Sequence, residues 1–173
     1  TASHHAENIH RKMINNWLKK INLKEKHLSC GPSWPWNIKD QFKAHSKYKI
    51  KRKIFHNCSG KHCGHLAVSK YKNLPIKNYQ NKDHPIQKDL INLIEDLSKY
   101  KIKNIGVDGC TLPNPLIPLK KFALAAAQLA DYKKLGEYSA IAKRIFDSCV
   151  KFPEIAGGTK SINSILTKLS NGK

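Results

Sequence analysis

Arginine, acidic residues and long apolar runs are all scarce in this sequence. Lys and Arg together number 32 against 12 Asp and Glu, which gives a formal net charge of +20, yet Arg occurs only at Arg11, Arg52 and Arg144. Arg, unlike Lys, makes the bidentate contacts with phosphate that nucleic-acid recognition favours. Because the lysines are also spread along the whole chain, we expect nucleic acid not to be the partner.

Membrane insertion and a disulfide framework are also disfavoured. The most apolar segment, 122–130, is interrupted by Gln128 and reaches about half the length of a membrane span, so we expect no membrane partner. The five cysteines are odd in number and have no regular spacing. Such cysteines are typical of a reducing compartment, and we therefore expect a cytoplasmic location.

Residues 56–65 contain the densest chemistry, with two cysteines, three histidines, a serine and a lysine. Spacing alone suggests a zinc site, because thiolate and imidazole are ligands that suit zinc. The candidate ligands are Cys58, Cys63, His65 and Cys110. Cys58 and Cys63 are too far apart for a Cys-x-x-Cys knuckle, so spacing leaves the ligand set undecided.

Hydrophobic periodicity predicts a chain dominated by helices. The first helix is expected to begin near Ser3 and to bury a stripe formed by Ile9, Met13, Trp17 and Ile21, joined by Leu18 on a neighbouring row. The basic run 47–53 alternates like an exposed strand, and 102–107 is predicted as a short strand. The remaining predicted helices cover approximately 38–45, 59–71, 84–97, 119–132, 138–152 and 162–169.

Three separated blocks of sequence resemble the bacterial asparaginase II family, the rhizobial-type, zinc-binding L-asparaginases. The blocks are Asn-Cys-Ser-Gly-Lys-His at 57–62, His-Pro-Ile-Gln at 84–87 and Asp-Gly-Cys-Thr-Leu-Pro at 108–113. Residues 2–7 also resemble the family's Ser-His-x-x-Glu block. The blocks follow one another in the family's order, and the resemblance covers nearly the whole chain.

The resemblance implies an α+β fold similar to that of serine β-lactamases and serine-dependent glutaminases, with helices packed on an antiparallel sheet. It implies a hydrolase of asparagine catabolism, which converts the small-molecule substrate L-asparagine to L-aspartate and ammonia. Residues 1–173 then correspond to part of a single asparaginase domain, an incomplete central segment that we expect to be inactive alone. A homodimer is left open.

Carried over residue by residue, the resemblance assigns Cys58, Lys61 and Cys110 as ligands of Zn²⁺, with water as the fourth ligand. Asp108 then lies beside that water, and His62 orients the neighbouring ligands. A lysine ligand must be neutral, so Lys61 would need a pKa well below its ordinary value of about 10.4. Both desolvation and a nearby dication act in that direction.

Ser3 matches one of the family's two active-site serines, each of which works with a lysine. The resemblance places one Ser-Lys pair before this region and the lysine that serves Ser3 after it, and Lys173 comes too early for that role. Two alternatives to an active asparaginase stay open. One is a basic zinc-binding module for an acidic partner, and the other is a catalytically degenerate family member.

Overall fold

The computed structural model describes residues 3–170. Within that range the helices are α1 (Asn8–Lys20), α2 (Ile38–Tyr48), α3 (Ser59–Tyr71), α4 (Pro85–Ser98), α5 (Leu119–Ala130), α6 (Ser139–Lys151), α7 (Pro153–Ala156) and α8 (Ile162–Leu169). The strands are β1 (Ile105–Val107) and β2 (Pro113–Pro115). Helices with one small sheet are consistent with the expected α+β class. The finer likeness to serine β-lactamases and glutaminases stays a prediction.

The two strands form an antiparallel pair whose connecting turn lies beside the candidate site. Ile105 is opposite Pro115 and Val107 is opposite Pro113, so residues 108–112 form the turn. The sequence predicts the first strand, but it predicts an extended loop at 112–115, because proline excludes the residue before it from a helix. β2 lies at the edge of a two-stranded sheet, where a missing N–H is tolerated.

α3 is the centre of the buried core and has the bounds that the sequence predicts. Its buried residues include Cys63 and Leu66, both 0% exposed. They pack with the rest of one core, whose largest members are Ile14, Leu18, Leu28, Ile54, Phe55 and Tyr79. α5, α6 and α8 bury much less, so the core that supports α3 lies in the part of the chain before α5.

The buried face of α1 differs from the predicted one. Ile9, Met13 and Trp17 are 38%, 47% and 39% exposed, and the helix begins after Glu7 rather than near Ser3. The buried row lies one residue further along, at His10, Ile14 and Leu18. Apolar spacing missed this row because one member is a histidine, whose Nε2–H donates to the carbonyl of Glu154 at 2.9 Å.

Replacing Ile14 with alanine is expected to lower the free energy of unfolding by about 2–4 kcal/mol, because it leaves a cavity in a packed core. Met13→Ala is the matched control on the same helix, and its effect should stay below about 1 kcal/mol. Urea unfolding of both variants measures the difference. A larger loss in Met13→Ala would restore the stripe that periodicity predicts.

The basic run 47–53 is not a strand. α2 continues to Tyr48 and ends at Lys49, which has a left-handed φ of 58°. Arg52 forms a single antiparallel bridge with Ser33, and a 3₁₀ turn follows at Lys53–Phe55. The alternating lysines therefore lie at the end of a helix and in the turn that follows it, and residues 49–51 are all exposed.

None of the helices within residues 3–170 combines the length and the apolar character needed to cross a membrane.

Candidate metal centre and catalytic serine

Three potential metal ligands converge where α3 begins. Cys58 occupies the position just before the first residue of α3, while Asp108 and Cys110 lie on the turn between β1 and β2. The two Sγ atoms and a carboxylate oxygen of Asp108 all lie within 4.8 Å of one another. Within residues 3–170, these three side chains form the one group of Cys, His, Asp or Glu ligands that could hold a metal ion.

The turn between the strands holds its two ligands close together. The backbone N–H of Asp108 donates to the carbonyl of Leu112 at 2.9 Å, and that of Thr111 donates to the carbonyl of Asp108 at 2.8 Å. Thr111 adopts a left-handed φ of 77° to close the turn. As a result the thiol of Cys110 reaches the carboxylate of Asp108, with an Sγ to Oδ2 distance of 3.2 Å.

Lys61 joins the group from the first turn of α3. Its Nζ donates to Oδ2 of Asp108 at 3.2 Å, and both side chains are about two-fifths exposed. Burial acts to lower the pKa of Lys61, but the hydrogen bond to Asp108 and the two nearby thiols outweigh it and raise that pKa. Without a metal, Lys61 is therefore an ammonium, and it would lose a proton on becoming a ligand.

Asp108 and Cys110 respond to the same contacts. Hydrogen bonds from Cys110 and Lys61 lower the pKa of Asp108. Burial, together with the carboxylate that accepts its S–H, raises the pKa of the Cys110 thiol. Metal binding would release this proton, because only the thiolate is a ligand. Two thiols, an amine and a carboxylate converging at one partly exposed point fit the ligand preferences of zinc.

Two residues of the spacing-based ligand set do not join the cluster. Cys63 is fully buried on the core side of α3, where burial raises the pKa of its thiol to about 12. His65 uses its Nδ1 to contact the carbonyl of Lys61, one turn earlier in α3, at 2.9 Å. The structure therefore brings Cys110 to Cys58, and leaves Cys63 as a free thiol packed in the core.

Ser3 lies at the same end of α3 as the cluster. Its neighbour His4 donates its backbone N–H to the carbonyl of Asn57 at 3.1 Å, one residue before Cys58. Ser3 itself is exposed. The amino group of Lys61 is held by Asp108, so this lysine does not serve as the base for Ser3.

A second serine at this end of α3, Ser59, has a structural role. Nδ1 of His4 accepts the N–H of Ala6 at 3.0 Å, so the ring proton is on Nε2 and is donated to Oγ of Ser59 at 3.1 Å. The hydroxyl of Ser59 in turn donates to the carbonyl of Ile54 at 3.1 Å. A histidine that donates to a serine cannot also take its proton, so His4 and Ser59 are not a nucleophile and base.

The pH dependence of folding is expected to reflect His4. Burial, followed by the neighbouring His10, lowers the pKa of His4 from 6.5 to about 3. Between pH 6.5 and pH 3 the unfolded chain binds a proton that the folded chain excludes. The free energy of unfolding therefore decreases as the pH is lowered through this range. From pH 7 to pH 5 the loss should be about 2 kcal/mol for this one group.

Urea unfolding at pH 7 and pH 5 measures this difference. His4→Gln should lose roughly that share of the pH dependence, and Ser46→Ala, at an exposed position of α2, should keep it. An identical pH dependence in wild type and His4→Gln would contradict the assignment.

The N-terminal segment 3–7 is also held by residues that follow α7. The backbone N–H and the hydroxyl of Thr159 both donate to Oε1 of Glu7, at 2.9 and 3.2 Å. Gly158 has a φ of 152°, and a Cβ there would lie 2.6 Å from Nδ1 of His5. A side chain at this glycine would push the segment 3–7, and Ser3 with it, away from its place.

The comparison with protein families bears on one of the two alternatives that the sequence leaves open. The family model described as L-asparaginase II matches residues 1–173. The chain belongs to the L-asparaginase II family. A comparison with curated proteins found no match. Membership indicates an asparaginase-type amidohydrolase with a small-molecule substrate, and it disfavours the basic zinc-binding module.

His62 of this L-asparaginase II chain is placed behind the cluster. It is 0% exposed, and its Nδ1 lies 2.6 Å from the hydroxyl of Tyr79. Burial lowers the pKa of His62 to about 3, with His65 and Lys61 acting in the same direction.

Tyr79 is the residue at this site that sequence reasoning missed. It follows no recognisable motif and lies 17 residues from His62 in the chain. Only the His-Pro-Ile-Gln block gave a signal nearby, since Nε2 of Gln87 donates to the carbonyl of Tyr79 at 2.8 Å. The block therefore helps to hold the tyrosine that contacts His62.

Proposed function

We propose that the chain contributes to a serine-dependent, zinc-assisted L-asparaginase that converts L-asparagine to L-aspartate and ammonia. The observation that supports this proposal is the convergence of Cys58, Lys61, Asp108 and Cys110 at the end of α3 where Ser3 also lies. These are five of the six residues that the family resemblance assigns to the site, and they come from three separate parts of the chain.

Cys58, Lys61 and Cys110 would hold the zinc ion. When bound, zinc supplies a Lewis acid that polarises an amide carbonyl. Asp108 is anionic and contacts two of the proposed ligands, so it would accept hydrogen bonds from a water or from the ammonium group of the substrate. Its partial exposure leaves that carboxylate accessible from solvent.

Ser3 is the proposed nucleophile. Its hydroxyl oxygen would attack the side-chain amide carbon while a base takes the hydroxyl proton, and the C–N bond would break as that proton passes to the departing ammonia. Water would then hydrolyse the ester to aspartate and restore the serine. The resemblance places the lysine that acts as base beyond residue 173, so we propose that residues 1–173 alone do not turn over.

The experiment that tests the function is ammonia release by the full-length protein from L-asparagine, with L-glutamine in parallel. We expect ammonia and aspartate in equal amounts from L-asparagine. A full-length protein that binds zinc and releases no ammonia would contradict the proposal and favour the catalytically degenerate alternative. The cytoplasmic location stays a prediction.

A further inference from the structure

We propose that Tyr79 is a positioning residue of the metal centre, which holds α3 through His62 and the turn that contains Cys110 through Ser29. The inference rests on the proposed zinc site, and it concerns what holds that site in shape.

The hydroxyl of Tyr79 determines which nitrogen of His62 has the proton. Tyr79 is fully buried, and its oxygen accepts the backbone N–H of Ser29 at 2.8 Å. The same oxygen lies 2.6 Å from Nδ1 of His62. Within residues 3–170 the hydrogen bonds offer this hydroxyl proton no acceptor other than Nδ1 of His62, so the tyrosine donates to that nitrogen. Nδ1 is then an acceptor, and the proton of the neutral imidazole lies on Nε2.

That Nε2–H group is buried and has no hydrogen-bond partner among residues 3–170. An unpaired buried donor costs about 1–3 kcal/mol, and its presence in a native structure calls for an acceptor. The hydroxyl of Tyr79 is therefore the group that holds the His62 ring by a side-chain hydrogen bond in the described part of the chain.

Ser29 connects the same turn to Tyr79 from a second side. Its N–H donates to the tyrosine hydroxyl, and its carbonyl accepts the hydroxyl of Thr111 at 3.4 Å. Tyr79 and Thr111, the residue after Cys110, thus both hydrogen-bond to the backbone of Ser29. Removing the tyrosine hydroxyl would leave the Ser29 N–H unpaired and would free the His62 ring to exchange its proton between the two nitrogens.

Titration of the metal-free full chain with Co²⁺, followed by the thiolate-to-metal absorption band, is the main test. Tyr79→Phe should weaken Co²⁺ binding by about 10–100-fold, the range for residues that orient metal ligands. Tyr48→Phe is the matched control, because it removes a hydroxyl from a half-buried tyrosine that packs on Phe55 instead. Its Co²⁺ affinity should equal that of the wild type.

A second readout separates positioning from simple loss of stability. Nitrogen NMR of the wild type should show the His62 proton on Nε2, and Tyr79→Phe should lose this preference while remaining folded by circular dichroism. Equal Co²⁺ affinity in wild type and Tyr79→Phe, or a wild-type His62 proton on Nδ1, would overturn the role of Tyr79 and leave the proposed zinc site unaffected. A wild type that binds no metal would overturn the proposed zinc site as well.

Discussion

Replacing Cys58 with alanine is expected to lower zinc affinity by about two orders of magnitude or more. Zinc binding of the structural type is worth about 10–16 kcal/mol over four ligands, so one thiolate accounts for roughly 3 kcal/mol. The Cys58 side chain makes no capping hydrogen bond to α3, so its loss should leave the helix intact. Competition with a chromophoric chelator measures the affinity.

Cys63→Ala is the matched control for this experiment. It removes a thiol from the same helix, five residues away, but Cys63 is buried in the core and lies outside the cluster. Its zinc affinity should stay within a few-fold of the wild type, although its unfolding free energy should fall. Equal loss of zinc in the two variants would contradict the assignment of Cys58 and Cys110, and would revive a ligand set that includes Cys63.

Ser3→Ala in the full-length protein is expected to reduce ammonia release from L-asparagine by several orders of magnitude. Loss of a nucleophile that acts as a unit with its base removes most of the rate enhancement. Zinc affinity should be unchanged, because Ser3 is not among the proposed ligands. The two measurements together separate loss of the nucleophile from loss of the metal site.

Ser59→Ala provides the discriminating variant. Ser59 lies at the same end of α3, but its hydroxyl accepts from His4 and donates to Ile54. We expect it to lower stability by about 1–2 kcal/mol, the usual cost of breaking a buried hydrogen bond, and to retain turnover when folded. Full activity in Ser3→Ala together with an inactive, folded Ser59→Ala would transfer the nucleophile to Ser59.

The sequence was sufficient where a local pattern and a motif coincide. The bounds of α3 follow from the start of apolar periodicity at Ser59, and the block at 108–113 indicated that Asp108 and Cys110 lie together. Their approach to Cys58 is a tertiary contact: spacing proposed Cys58 and Cys110 as ligands together with Cys63 and His65, and only the family resemblance separated them from those two. The structure adds the ion pair of Lys61 with Asp108, a contact that neither spacing nor periodicity reports.

Other features depend on contacts far apart in sequence. The buried face of α1 includes His10, whose ring is satisfied by a carbonyl 144 residues away. β2 is a strand although two of its three residues are proline, because pairing with β1 decides the conformation. Tyr79 has a role only through its contacts with His62 and Ser29. In each case a long-range contact outweighs local propensity.

The central claim is that the cluster at the start of α3 is a zinc centre. X-ray absorption at the zinc edge of the purified full-length protein tests this claim most directly. We expect about one zinc per chain, with two sulfur neighbours at about 2.3 Å and nitrogen or oxygen neighbours at about 2.0–2.2 Å. Cys58→Ala and Cys110→Ala should each remove one sulfur neighbour or the metal. A stoichiometric zinc with no sulfur neighbour, or a protein that retains no zinc, would contradict the account.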